Sequence, residues 1–404
     1  MVHSLRNTIF AGALLCCAPL IAQDAVTLEP WDLDLDTASA RFGQALAASS
    51  KYLYVGAPGY DRVPAGAGAG WVHTFDSKTL DGFVRLNTPI QANQQEGWSL
   101  ATTKFEVLVG YPGKTAGGFG HAGEAMYYNE KIGNSPTLSN PAPATNDEFG
   151  KSVAMSTKLM VIGAPGDVGG TEGDLSGSAF VARKTDFVVQ RLPLPSYEDG
   201  DRAGAAVAVS TRFIAVGAPG ALVGSTPNTG VVYIYDAKTL AYITTIIGGD
   251  FLNGPLFGSA VAFSGKHLFV GAPAQHVGNP FLGFVFSAGA VFQYETKTWT
   301  AVRVYNSASP QSNADFGASL SVDSKRIAIG SPRHDEAASN GGKAELFDLK
   351  LGAFIGDFRS PVPVSEENYG ASVLLMKGNR LAVGAPAPTS TSTDGKAYVY
   401  PLGR

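Results

Sequence analysis

Cysteine is nearly missing from this 404-residue chain: the two present, Cys16 and Cys17, are adjacent and sit inside an apolar leader. Past residue 17 no disulfide can form and no thiol nucleophile exists. Stability must come from burial, which 45% hydrophobic content permits at this length. Charge is also sparse: Asp, Glu, Lys and Arg make up 16% of the chain, with a net charge of -4. That mild acidic balance argues against a nucleic-acid partner. No stretch carries a helical period, and no segment after the leader approaches the length of a membrane span. Nor is there a Gly-x-Ser-x-Gly elbow, a His-Glu-x-x-His pair, a phosphate loop or a dinucleotide fingerprint. His73, His121, His267 and His276 share no catalytic spacing. These absences leave no catalytic residue, metal or cofactor to assign.

Met1 to Ala22 reads as a secretory signal peptide. Arg6 gives a positive start, Ile9 to Ile21 is apolar, and Ala22 places a small residue before Gln23. Leu14 and Leu15 stand where a lipid-anchoring signal would place small residues before Cys16, which argues against lipidation. Arg6 is the only Lys, Arg, Asp or Glu lost with the leader, so the remaining chain, 23–404, has a net charge of -4 - 1 = -5. The expected product is exported, free of membrane spans and monomeric.

What the chain has in abundance is glycine, 49 residues, placed periodically. Tyr52-Leu53-Tyr54-Val55-Gly56-Ala57-Pro58 is rewritten around Gly110, Gly163, Gly217, Gly271, Gly330 and Gly384, at spacings of 54, 53, 54, 54, 59 and 54. A period of this size signals a repeat architecture. Upstream lies a second marker: Phe42-Gly43, Phe149-Gly150, Phe257-Gly258, Phe316-Gly317 and Tyr369-Gly370, with Glu96-Gly97 and Ala203-Gly204 as departures. The two glycines are 13 residues apart in six repeats and 14 in the seventh.

Each repeat holds four short β-branched and aromatic runs. Examples are Ser152 to Met155, Leu159 to Ile162, Val231 to Tyr235 and Ala241 to Thr244, all bounded by turn formers. These predict a four-stranded antiparallel sheet per repeat, with the second strand buried and ended by its proline. The marker glycines predict close backbone approach, and the aromatic beside each is expected to fill the gap between neighbouring sheets. Radial repetition of sheets gives a propeller; seven repeats, starting near 42, 96, 149, 203, 257, 316 and 369, give seven blades. Repeat seven lacks a fourth strand after Tyr398-Val399-Tyr400-Pro401, while Ala25 to Pro30 is an orphan strand before the first marker. The N-terminal strand is therefore expected to complete the last blade and close the ring.

These seven in-phase copies, from Phe42 to Tyr400, resemble the FG-GAP repeat family, the propeller of integrin α-subunits and many exported bacterial proteins. The resemblance implies an all-β, seven-bladed propeller used in extracellular recognition. In integrin-like members it also implies calcium-binding Asp-rich loops between the first and second strands. The chain departs there, with minimal turns such as Ser49-Ser50-Lys51, Ser156-Thr157-Lys158 and Asp323-Ser324-Lys325. Calcium needs six or more oxygen ligands, which such turns do not provide. Asp32-Leu33-Asp34-Leu35-Asp36 has alternate acids, but Thr37 stands at the sharp-turn glycine position, so it reads as a solvated connector. Arg333-His334-Asp335-Glu336 likewise reads as a solvated loop.

The leading expectation is a non-enzymatic adhesion or binding propeller with an extracellular protein or glycan as partner. The alternatives are a glycan-binding or glycan-cleaving propeller, with carboxylates from separate blades, and a structural module of a surface assembly. Alternating strands put the second-to-third and fourth-to-first loops on one face. That face gathers seventeen acids, including Asp147, Asp167, Glu172, Asp174, Asp201 and Glu367; the short turns of the other face carry Lys51, Lys104, Lys158, Arg212, Lys266, Lys325 and Lys377. An acidic long-loop face, suited to cationic partners, is expected. Blade five has the longest loop there: 18 residues separate Gly271 from Gly289, against 11 to 14 elsewhere. Its Phe281, Leu282, Phe284 and Phe286 are the candidate ligand-binding residues, together with Asp167, Glu172 and Asp174. The competing expectation is that this loop folds back and caps the central channel with its own rings.

Overall fold

The computed structural model describes residues 25–30, 40–61, 68–83, 86, 91–133, 136–168, 175–196, 198–248, 254–279, 283–335, 338–387 and 394–403. Among them there is no helix, and so none long and apolar enough to cross a membrane. Seven four-stranded antiparallel sheets form the molecule. Blade three shows the pattern: Ser152–Met155, Leu159–Ala164, Ser178–Arg183 and Val189–Arg191, hydrogen-bonded in that order. In every blade the second strand ends on the residue before its proline, Ala164 here, because proline has no N–H to continue the ladder.

The first strand of each blade packs against the first strands of both neighbours, blade seven against blade one included, so the seven form a closed inner ring. Second and third strands are almost fully buried, as Leu159–Ala164 and Ser178–Arg183 illustrate. Fourth strands such as Thr300–Asn306 lie outermost and are largely exposed. Apolar clusters sit between adjacent sheets. Phe149 joins Leu108 and Tyr127 of blade two to Ile162 and Phe180 of blade three. Phe42, Phe149, Phe257, Phe316 and Tyr369 are all completely buried, as wedges between sheets should be.

The two glycine markers meet, but across the seam between blades. A side chain on Gly163 would place its Cβ 1.9 Å from the carbonyl oxygen of Gly204, the marker glycine of the next blade. The same holds at all seven seams, at 1.9–2.1 Å, ending with Gly384 against Gly43. Each marker glycine also sits at positive φ, between 83° and 95°, which a side chain would strain. A serine opening the first strand reinforces four seams. The Oγ of Ser99, Ser152, Ser319 and Ser372 each donates, at 2.7 Å, to the next marker glycine's carbonyl.

Closure follows the expected route. Val26–Leu28 pairs antiparallel with Lys396–Pro401, Val26 opposite Val399, as the outer strand of blade seven. First and second strands are joined by two or three residues in every blade, with no inserted loop.

Candidate functional site

The long loop of blade five is a second, smaller hairpin. Val277–Asn279 pairs with Gly283–Val285, Val277 opposite Val285, on top of the blade formed by Ala260–Ser264, His267–Ala272, Ala290–Glu295 and Thr300–Asn306. The sequence reading foresaw the loop's length and aromatic content but not this pairing. Val-Gly-Asn and Gly-Phe-Val are too short to show a period.

Side chains alternate across a strand, and the hairpin uses this. Val277 and Val285 turn inward and bury against Ala288 as a separate small core. Phe284 and Phe286 turn outward and are 65% and 58% exposed. Phe281 and Leu282 lie outside the described residues. The base of the hairpin is fixed. Gly289 N–H donates to the Gln275 carbonyl at 2.9 Å, and Gln275 Nε2 donates to the His276 carbonyl at 3.1 Å. His276 Nδ1 accepts the Ser287 N–H at 3.0 Å, and its ring meets Phe286 edge-on at 5.1 Å. The Phe286 carbonyl accepts the Asn313 N–H at 3.0 Å, tying the hairpin to the loop entering blade six. Two rings are thus held out on a positioned platform, exposed to solvent rather than buried against neighbouring blades.

Asp167 is placed differently. It is 2% exposed, and its carboxylate receives both arms of Arg191 at 2.7 and 2.9 Å, Asn140 Nδ2 at 3.0 Å and Ser178 Oγ at 3.2 Å. This carboxylate holds loops of blades two and three together. Glu172 and Asp174 lie outside the described residues, as do Asp32 to Asp36. Several other acids of this face also point inward: Glu96, Asp147, Asp201 and Glu367 are buried. The last three share a role. Asp147 accepts the Ala144 N–H at 2.8 Å, Asp201 the Glu198 N–H at 3.3 Å and Glu367 the Val364 N–H at 3.3 Å, each closing the turn three residues upstream. Burial pushes the Asp147 carboxyl up to about 6, with the nearby Asp167 charge adding to the shift and bonds from Ala144 and Asn140 opposing it. The signal was in the sequence: all three stand three residues before a marker glycine.

On the opposite face Lys51, Lys104, Lys158, Arg212, Lys266, Lys325 and Lys377 are all exposed, one per blade. Of the histidines, His334 departs from the expected solvated loop: it is 5% exposed, with Nε2 3.3 Å from the Ser309 carbonyl. His73 is fully buried, and burial pushes its imidazole down to about 3. Among the described residues no three His, Cys, Asp or Glu gather as metal ligands would.

A closed seven-bladed propeller in which, among the described residues, one second-to-third loop forms its own paired strands defines the class of this protein. Residues 138–182, which span the last strand of blade two and three strands of blade three, match the family model of the FG-GAP repeat. The other blades repeat the same glycine seam and strand order, so the resemblance to FG-GAP repeat propellers holds around the ring. A comparison with curated proteins found no match.

Proposed function

We propose that this protein is an exported, non-enzymatic recognition propeller that contacts an extracellular or cell-surface protein through the blade-five hairpin. The observation carrying this reading is the pair of exposed rings, Phe284 and Phe286, on a hairpin with its own buried core. Rigid aromatics give large contact area at little entropic cost and often anchor interfaces. An FG-GAP repeat propeller is a scaffold consistent with protein binding, and the leader read at Met1 to Ala22 supports export. The ring supplies no motion or bond chemistry in this reading; it holds the hairpin in place. The test is capture of surface proteins from the native cell by the wild type and by the Phe284→Ser, Phe286→Ser double variant. Reduced capture at an unchanged melting temperature supports the reading, and unaltered capture refutes it.

A further inference from the structure

We infer that the open cleft where the loops of blades five, six and seven meet is a glycan subsite. This goes beyond the hairpin reading and stands apart from it, because none of the cleft's residues belongs to the hairpin. The cleft holds about 600 Å³, within the usual size range of small-ligand pockets. Its lining is unlike that of an apolar ligand pocket: Ser312, Asn313, Arg333, Ser339, Glu366 and Asn368 all contribute, joined by Asp335 and Asn340.

The walls are pinned before any ligand arrives. Asp335 N–H donates to Gln311 Oε1 at 2.7 Å, and Arg333 Nε pairs with Asp315 at 3.3 Å, joining two walls. Asn340 N–H donates to Asp335 Oδ1 at 2.7 Å, Asn340 Nδ2 to Glu366 Oε1 at 2.8 Å, and Glu366 N–H to the Ser339 carbonyl at 2.8 Å, joining the third. Beneath them lies a buried pair, Lys343 and Glu345. Lys343 Nζ donates to Ser307 Oγ at 3.0 Å and Ser309 Oγ at 2.7 Å and meets Glu345 Oε1 at 3.3 Å, fixing the loop that presents Ser312 and Asn313. Such preorganisation reduces the ordering cost of binding.

What remains open is a mixed set of donors and acceptors. Among the described residues no hydrogen bond occupies the side chains of Ser312, Asn313 or Ser339, Arg333 keeps its two terminal nitrogens, and Glu366 keeps Oε2. Vicinal hydroxyls, each donor and acceptor at once, are matched by planar amide, carboxylate and guanidinium groups that bond in pairs. Two acids, Asp335 and Glu366, stand against one arginine, Arg333, which is itself paired with Asp315; this disfavours an anionic ligand and suits a neutral polyhydroxylated one. The larger groove on the other face, about 1000 Å³ between blades six and seven, mixes Leu346, Ile355, Leu375, Met376 and Leu402 with charged side chains, of which Arg326 is already bonded to Asp323 and Asn379.

The experiment is saturation-transfer NMR of the full protein with glucose, galactose, mannose and N-acetylglucosamine, together with a glycan array. At least one neutral sugar should bind. Ser339→Trp, which fills the cleft, and Arg333→Ala, which removes an exposed donor and its pairing with Asp315, should each weaken that binding at least about ten-fold, Ser339→Trp at unchanged melting temperature. Phe284→Ser should leave it intact, which separates this site from the hairpin. The inference is overturned if no sugar binds on either platform, or if binding survives both cleft variants. Capture of a protein partner that persists in those variants would leave the hairpin reading standing alone.

Discussion

Blades three and five are built from the same four strands and the same glycine seam, yet their second-to-third loops do opposite things. In blade three the loop turns a carboxylate inward: Asp167 is clamped by Arg191, Asn140 and Ser178 and fastens one blade to its neighbour. In blade five the added residues pair into a hairpin that buries Val277 and Val285 and turns Phe284 and Phe286 to solvent. Length is the difference. The longer loop has residues enough to make its own ladder and small core, and then has an outer face left over. The seam tolerates little change, and the loop tolerates much. Recognition is accordingly sought where the repeats diverge.

The sharpest way to break that contrast is to change the same residue type in both places. Gly163→Ala would drive a Cβ into the Gly204 carbonyl of the next blade and should destabilise the protein by more than about 3 kcal/mol in a denaturant titration. Gly278→Ala, in the hairpin, meets no atom within 4 Å and should cost under about 1 kcal/mol. Equal losses would show that seam and hairpin are not mechanically distinct.

Removing the clamp in blade three should come next in size. Arg191→Ala leaves the buried Asp167 carboxylate without its bidentate partner and should lower stability by about 3 kcal/mol at neutral pH, measured by chemical denaturation. A loss below about 0.5 kcal/mol would mean that water replaces the guanidinium.

A smaller effect should be visible in the pH dependence of unfolding. The Asp147 carboxyl holds its proton more tightly when folded, at about 6, than in the unfolded chain at about 4. Its contribution is therefore fully present in acid and is lost as pH rises from about 4 to about 6. Asp147→Asn should abolish that slope and gain about 1 kcal/mol at pH 7, less than the full shift because the bonds from Ala144 and Asn140 lose their charge assistance. An unchanged profile between pH 4 and 6 would assign the slope to another group. The smallest effect should come from chelator. With two or three residues between first and second strands of every blade, the melting temperature should be the same with and without EDTA. A fall of many degrees would show calcium bound elsewhere in the loops.

Much of the molecule was legible as a string. Ser152 to Met155 and Leu159 to Ile162 appear as strands Ser152–Met155 and Leu159–Ala164, because β-branched runs between turn formers have few other solutions. The orphan Ala25 to Pro30 appears as Val26–Leu28 on the last blade, because a missing fourth strand leaves an unpaired edge. The charge tally for the long-loop face was misleading. Asp147, Asp167, Asp201, Glu96 and Glu367 were counted as surface, yet they are buried. A count of acids does not say which of them face a backbone N–H.

The sequence by itself determined the number of blades, the order of their strands and the closing of the ring, since period, strand patterning and turn chemistry are local properties repeated seven times. Only the tertiary structure decided which glycine meets which. Gly163 lies 13 residues from its own marker glycine but touches that of the next blade, a contact that exists only once the sheets stand side by side. It alone also decided that Phe284 and Phe286 face outward while Val285 faces in, and that eight polar residues from three separate loops share one cleft. Such placements depend on distances between segments far apart in the chain, and a linear pattern carries no measure of those distances.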